Sequence, residues 1–234
     1  MPLTPSRTTR TSYIMSLMRS IPFLLVAAVA FSAETVTTPI ENDQVKVLKV
    51  TQAPHEKTRL HQHKVNRVMI YLQAGRQNFE YPDEKKKMVV TWKPGEAKWS
   101  PAGGMHIAEI VSNDPVSIIE VELKKPAGAS MPPASPLDPV KLDPKRYKVE
   151  FENDQVRVLR VKIGPHQTTP VHEHMLNRVV AYLTDQKLKV TTPDGKAEVV
   201  EHKAGDVSWG LPTKHKEENL TDKLFEVVVV ELKG

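Results

Sequence analysis

The chain repeats itself, and the repeat limits what it can become. Residues 41–50 read ENDQVKVLKV and residues 152–161 read ENDQVRVLRV, an offset of 111. The same offset aligns PHEKTRLHQHKVNRVMIYL (54–72) with PHQTTPVHEHMLNRVVAYL (165–183). Further on, KPGEAKWSPAGGMH (93–106) matches KAGDVSWGLPTKH (203–215), the offset slipping to 110 and then to 109 at the histidine. Both copies close alike, with VSIIEVELKK (116–125) and FEVVVVELKG (225–234). A chain of this kind is two copies of one unit of roughly 90 residues. Between them runs PAGASMPPASPLDPVKLDPKRY (126–147), whose six prolines predict an extended linker from one domain to the other.

Each copy reads as strands. QVKVLKV and QVRVLRV alternate apolar with polar residues at period two. NRVMIYL, SIIEVEL and EVVVVEL are rich in β-branched residues and lack helical spacing, and turns such as Thr192-Pro193-Asp194-Gly195 punctuate them. No long amphipathic helix is legible. The prediction is an all-β fold of two small sandwiches or barrels.

The N-terminus has a different character. IPFLLVAAVAF (21–31) follows Arg19 and leads into the small residues Ser32-Ala33, which is the layout of a cleaved secretory signal. An apolar run of this length is too short for a bilayer core, which takes about 20 residues. Met15 offers an alternative start. The expected organisation is a signal peptide at 1–33, a first domain at 34–125, a linker at 126–147 and a second domain at 148–234. The expected location is a bacterial periplasm or the exterior, with no stable membrane anchor after cleavage. The net charge is +5, and Arg7, Arg10 and Arg19 lie in the leader, so 5 − 3 leaves +2. With basic and acidic residues interspersed, nucleic acid is not an expected partner. The absence of cysteine excludes disulfides, thiolate metal ligands, a thiol nucleophile and a lipid-anchoring Cys.

Histidine carries the chemistry. Each copy holds His-x-His, at His61/His63 and His172/His174, and a third histidine, His106 or His215, recurs downstream. Residues at i and i+2 of a strand share a face, so the paired imidazoles can converge on one point. Three imidazoles suit Fe(II), Mn(II), Zn(II), Ni(II) or Cu(II) and leave coordination positions open. Unmetallated core histidines are the alternative.

At these residues the sequence resembles the cupin superfamily. Gly95, Pro101, Gly103 and His106 match that family's second motif, G-x5-P-x-G-x2-H-x3-N, with Ile110 in place of its Asn. In the second copy Gly205, Pro212, His215 and Asn219 correspond, with a one-residue slip. The resemblance covers residues 39–125 and 148–234 and implies a two-barrel cupin with jelly-roll barrels. Two departures stand out. The leading Gly of the family's first motif is His55 and His166, and its metal-ligating Glu is Arg67 and Arg178. Arginine does not ligate metals. The resemblance therefore implies three-histidine metal sites at His61, His63, His106 and at His172, His174, His215, similar to those of cupin-type thiol dioxygenases and diketone-cleaving enzymes.

Arg67 and Arg178 are the candidate catalytic residues, either clamping a substrate acid bidentately or pairing with Glu109 and Glu218. Trp99 and Trp209 are expected to pack in the core or at the barrel mouth. The resulting expectation is an exported bicupin that holds a divalent transition metal and acts on a small molecule, a dioxygenase first. The alternative is a non-catalytic module that binds a small ligand, or a structural unit that forms a homo-oligomer.

Overall fold

The computed structural model describes Met1, residues 34–126, 128, 132 and 134–234. The expected leader, Met1 apart, lies outside the described residues. From residue 34 onward the described chain belongs to one compact unit. No helix among the described residues is long and apolar enough to cross a membrane.

The strands follow the repeat. The first copy forms β1 (Thr35–Glu41), β2 (Val45–Gln52), β3 (Arg67–Tyr71), β4 (Gly75–Tyr81), β5 (Lys86–Trp92), β6 (Ala97–Ser100), β7 (Ile107–Ile110) and β8 (Val116–Leu123). A short helix, α1 (Pro139–Leu142), precedes the second set. That set is β9 (Tyr147–Glu152), β10 (Val156–Ile163), β11 (His172–His174), β12 (Arg178–Tyr182), β13 (Gln186–Thr191), β14 (Ala197–His202), β15 (Val207–Gly210), β16 (Thr213–Asn219) and β17 (Phe225–Leu232). Each copy makes two facing antiparallel sheets. They are β1-β2-β8-β3-β6 over β5-β4-β7 in the first copy, and β15-β12-β17-β10-β9 over β11-β16-β13-β14 in the second.

The two five-stranded sheets pack on each other through their outer faces. Strand alternation sends Val45, Val47, Val68, Ile70, Ile119, Val121 and Leu123 into one apolar cluster with Val156, Val158, Val179, Ala181, Val228, Val230 and Leu232. The intervening residues of the same strands, including Leu48, Val50, Met69 and Ile118, turn inward to line the first barrel. Trp99 and Trp209 pack against the shared cluster, so both tryptophans serve the seam between barrels. Asn66 Nδ2 donates to Gln155 Oε1 at 2.5 Å and Asn177 Nδ2 donates to Gln44 Oε1 at 2.6 Å, a reciprocal pair across that seam. These repeated Asn and Gln residues relate the copies by an approximate twofold.

The turns use the motif glycines. Gly95 and Gly205 have φ of +75° and +86°, the left-handed region that glycine enters without steric cost. Gly95 lies against Leu183 and Arg160, and Gly205 against Leu72 and Lys49. A side chain at either position would enter the other barrel. His55 and His166, at the positions of the family's first glycine, hold φ of +60° and +55°. They are loop residues in a conformation that costs a side chain energy. Neither lines a barrel cavity.

The described part of the linker from residue 134 is not simply extended. Asp138 caps α1 by accepting from Val140 N at 2.9 Å, with Pro139 at the first helical position. Glu173 N donates to Leu137 O at 2.8 Å, and Ser135 Oγ bonds Glu173 Oε2 at 2.5 Å. The segment before β9 is therefore docked on the second barrel. Tyr147, read from the sequence as the last linker residue, opens β9.

Because the barrels share one buried apolar seam, they are expected to unfold together. Ile70→Ala empties part of that seam and should cost about 2–5 kcal/mol. Urea titration followed by tryptophan fluorescence should show one transition in the parent chain and one, at lower denaturant, in the variant. Two separated transitions would show that the barrels are independent.

Candidate metal centres

The histidines meet as the spacing implies. His172 and His174 lie on β11, and β11 pairs with β16 so that His172 stands opposite His215. In the first copy His61 and His106 form the equivalent bridge, with His61 N donating to His106 O at 3.0 Å and His106 N to His61 O at 2.8 Å. His63 falls outside the strands of its copy. In each barrel the three imidazoles offer ligand atoms within 4.8 Å of one another.

The second centre is buried. His172, His174 and His215 are 0, 4 and 6% exposed. His172 Nδ1 donates to Pro170 O at 3.0 Å and His174 Nδ1 to the carboxylate of Glu231 at 2.7 Å. Those bonds fix the tautomer and leave each Nε2 lone pair for the interior, the arrangement usual behind a metal-ligating imidazole. Glu231 also accepts from Arg157 Nε at 2.6 Å, and Arg157 Nη1 reaches Asp138 Oδ2 at 2.6 Å. The docked linker thus braces the histidine through Asp138, Arg157 and Glu231. Burial alone would raise the Glu231 pKa, yet its bonds to His174 and Arg157 hold it below its ordinary value.

Like Glu231, Glu217 and Tyr147 of this centre were not found from the sequence. Glu217, two residues after His215 on β16, has its Oε1 3.8 Å from His215 Nε2 and a side chain 18% exposed. Burial pushes its pKa up, but the neighbouring imidazoles outweigh that and hold it below normal. Tyr147 Oη donates to Glu217 Oε2 at 3.0 Å and lies 3.3 Å from His172 Nε2. Burial and the adjacent Glu217 carboxylate keep that phenol protonated, with a pKa well above 10. The one signal that could have found Glu217 is strand parity, since i+2 from a ligand shares its face. Tyr147 had no such signal, because Val36 occupies the matching position of the first copy.

The same parity corrects the expected partners of the arginines. Glu109 and Glu218 lie three residues after their histidines, on the opposite strand face, so inward arginines cannot meet them there. Arg67 instead donates to Glu120 Oε2 at 2.9 Å, to Ser100 Oγ at 3.2 Å and to His63 Nδ1. Arg178 Nη1 donates to Leu211 O at 2.6 Å. Both arginines are buried, at 6 and 8% exposure, and each lines the cavity of its own barrel. The inward direction that a substrate clamp requires is therefore met.

The cavities differ in character. The second, about 280 Å³, is walled by apolar side chains including Val161, Val180, Leu188, Val227 and Val229, with Arg178, Glu217 and His215 in its lining. Gln186 also lines it, and Gln186 Oε1 is buried without a hydrogen-bond partner. The first, about 460 Å³, opens among Glu34, Glu56, Lys57 and Arg59.

Burial lowers the pKa of His63, His106, His172 and His215. His215 is lowered to about 3 by loss of water, against a partial counter-effect from Glu217, and His63 to about 3 by burial and then the Arg67 charge. An unfolded chain takes up these protons below its ordinary pKa of 6.5, whereas the folded chain refuses them until about 3. The stabilisation is therefore complete above pH 6.5 and is lost as pH falls towards 3. Thermal unfolding of metal-free protein should show Tm falling steadily across that window. His215→Gln should flatten the profile, and an unchanged slope in the variant would contradict this account.

No known family pattern matches the sequence, and no curated protein does either, so the likeness to known proteins is one of structure. AerE from Microcystis aeruginosa superposes with a TM-score of 0.61 at 12% identity, over 87% of this chain and 94% of that one. Oxalate decarboxylase from Bacillus subtilis, an enzyme with Mn(II) centres, superposes with a TM-score of 0.55 at 12% identity, over 86% of this chain and 77% of that one. A cupin 2 conserved barrel domain protein from Leptotrichia buccalis gives 0.53 at 14% identity, over 86% and 90% of the two chains. Identities this low speak to architecture alone, and they agree with the strand topology and the histidine triads: the chain has the cupin fold, as two jelly-roll barrels in tandem.

Proposed function

We propose that this protein is an exported member of the cupin superfamily that holds a divalent transition metal and acts on a small molecule, with the second barrel as its reaction site. The observation that carries this reading is the second triad, where His174 is braced by a buried carboxylate and Glu217 stands beside His215. Neutral imidazole nitrogens with a nearby carboxylate suit Fe(II), Mn(II), Zn(II), Ni(II) or Cu(II). Such a metal supplies Lewis-acid activation of a coordinated substrate oxygen.

The protein's own groups then divide the work. Arg178, fixed by Leu211 O and facing the cavity, orients an acidic group of the substrate. Glu217 is a carboxylate held ionised beside the triad, able to take a proton, and Tyr147 fixes its second oxygen. Gln186 Oε1 offers an acceptor to a substrate hydroxyl. The apolar wall excludes water and fits a compact carbon skeleton. A substrate with one acidic and one hydroxyl or carbonyl group matches this cavity, and dioxygenase chemistry is the first choice. The leader supports export through its short apolar run and small-residue cleavage site.

Elemental analysis of the purified mature protein should find Fe, Mn, Ni, Cu or Zn near stoichiometry, lost in His172→Ala/His174→Ala. Oxygen uptake should then appear with a member of a panel of catechols, diketones and thiols, and Glu217→Gln should lower kcat by ten-fold or more. Metal without turnover on any member would favour the ligand-binding module. Absence of metal after anaerobic loading would remove the enzyme reading. N-terminal sequencing of the secreted fraction should begin near residue 34, and a retained leader there would overturn export.

A further inference from the structure

We propose that the two barrels are not equivalent metal sites: the triad of the first barrel, His61, His63 and His106, takes no metal, because Arg67 engages His63 Nδ1 and leaves an N–H where a ligand needs a lone pair. This rests on the reading of the second triad as the metal centre. A guanidinium only donates, so His63 Nδ1 must accept. A neutral imidazole carries one hydrogen, which is then on Nε2. Because Nδ1 accepts, the ring is not the imidazolium. In the second barrel the polarity is reversed, since His174 Nδ1 donates to Glu231 and its Nε2 keeps the lone pair.

The electrostatics point the same way. Arg67, paired with Glu120 at 2.9 Å, places its guanidinium against His63, where its charge repels a divalent cation. In the second barrel the Glu217 carboxylate lies 3.8 Å from His215 Nε2, a charge favourable to a cation. The residue of the first barrel that matches Glu217 is Ala108.

Two substitutions account for the different aim of the arginines. Arg67 pairs in register with Ser100, and Arg178 with Gly210. A Cβ at Gly210 would lie 2.8 Å from Arg178 Cζ, so the absence of a side chain there opens the place where this guanidinium lies. Ser100 fills that place in the first barrel and holds Arg67 Nε at 3.2 Å. Glu120 then draws Arg67 Nη1 towards His63. Its match on β17 is Val229, so Arg178 has no carboxylate at that position.

The test is metal stoichiometry in the full mature chain, stripped and reloaded with Mn(II) or Zn(II) and passed through a desalting column. The parent chain should retain one equivalent, lost in His172→Ala/His174→Ala and kept in His61→Ala/His63→Ala. Arg67→Gln should gain a second equivalent. Arg67→Gln/Glu120→Val, which installs the second barrel's valine at position 120, should gain it too and guards against misfolding from an unpaired buried Glu120. Two equivalents in the parent, or no gain in either Arg67 variant, overturns the proposal. A parent with no metal sinks the second-barrel reading, and the Arg67 variants still decide this one by gaining an equivalent or not. Long-range ¹H–¹⁵N spectra of the metal-free parent give an independent answer. They should show His63 protonated at Nε2 and His174 at Nδ1, and a His63 proton on Nδ1 would overturn the assignment.

Discussion

Apolar contact between the two five-stranded sheets is the constraint on which the molecule depends. In each copy, strict alternation along β2, β3 and β8, or β10, β12 and β17, sends one set of residues to the seam and the next set to a barrel interior. A sheet used this way must be apolar on one side and chemically particular on the other. The seam residues are almost all Val, Ile, Leu and Ala. The inward set of the same strands includes Arg67, Glu120, Arg178 and Glu231. Burial of the outer face thus fixes which side chains can reach each cavity, because a slip by one residue would exchange the two sets.

Duplication placed equivalent triads in both barrels, and a handful of inward positions then separated them. Gly210 for Ser100, Val229 for Glu120, and Glu217 for Ala108 are small changes in sequence. Together they turn one arginine towards an imidazole and the other away, and they set Glu217 beside the second triad while Glu120, beside His63, is paired with Arg67. Tyr147 and the docked linker add to the second barrel alone, the linker by way of Arg157 and Glu231. Lys46 stands in the first barrel where Arg157 stands in the second. Each difference acts through a buried hydrogen bond or charge, where a low dielectric magnifies its effect.

Much of the architecture was legible in advance. Period-two alternation in QVKVLKV and QVRVLRV became β2 and β10, and the histidine spacing became one cluster per barrel. The motif glycines Gly95 and Gly205 took the left-handed turns. The arginine partners were not legible in the same way, because the expectation counted residues along the chain and neglected the strand face. Linker prolines were read as extension, whereas Pro139 began a helical turn capped by Asp138.

By itself, the sequence determined the duplication, the all-β class and the six histidines of the two triads, because periodicity and repeat spacing are local properties that survive without knowledge of contacts. Tertiary structure alone decided what surrounds them. Glu120, Tyr147 and Glu231 come from strands remote in the chain from the histidines they serve, and whether an arginine meets an imidazole or a carbonyl depends on the side chain opposite it in register. Those choices are made by cross-strand neighbours, which no one-dimensional spacing records.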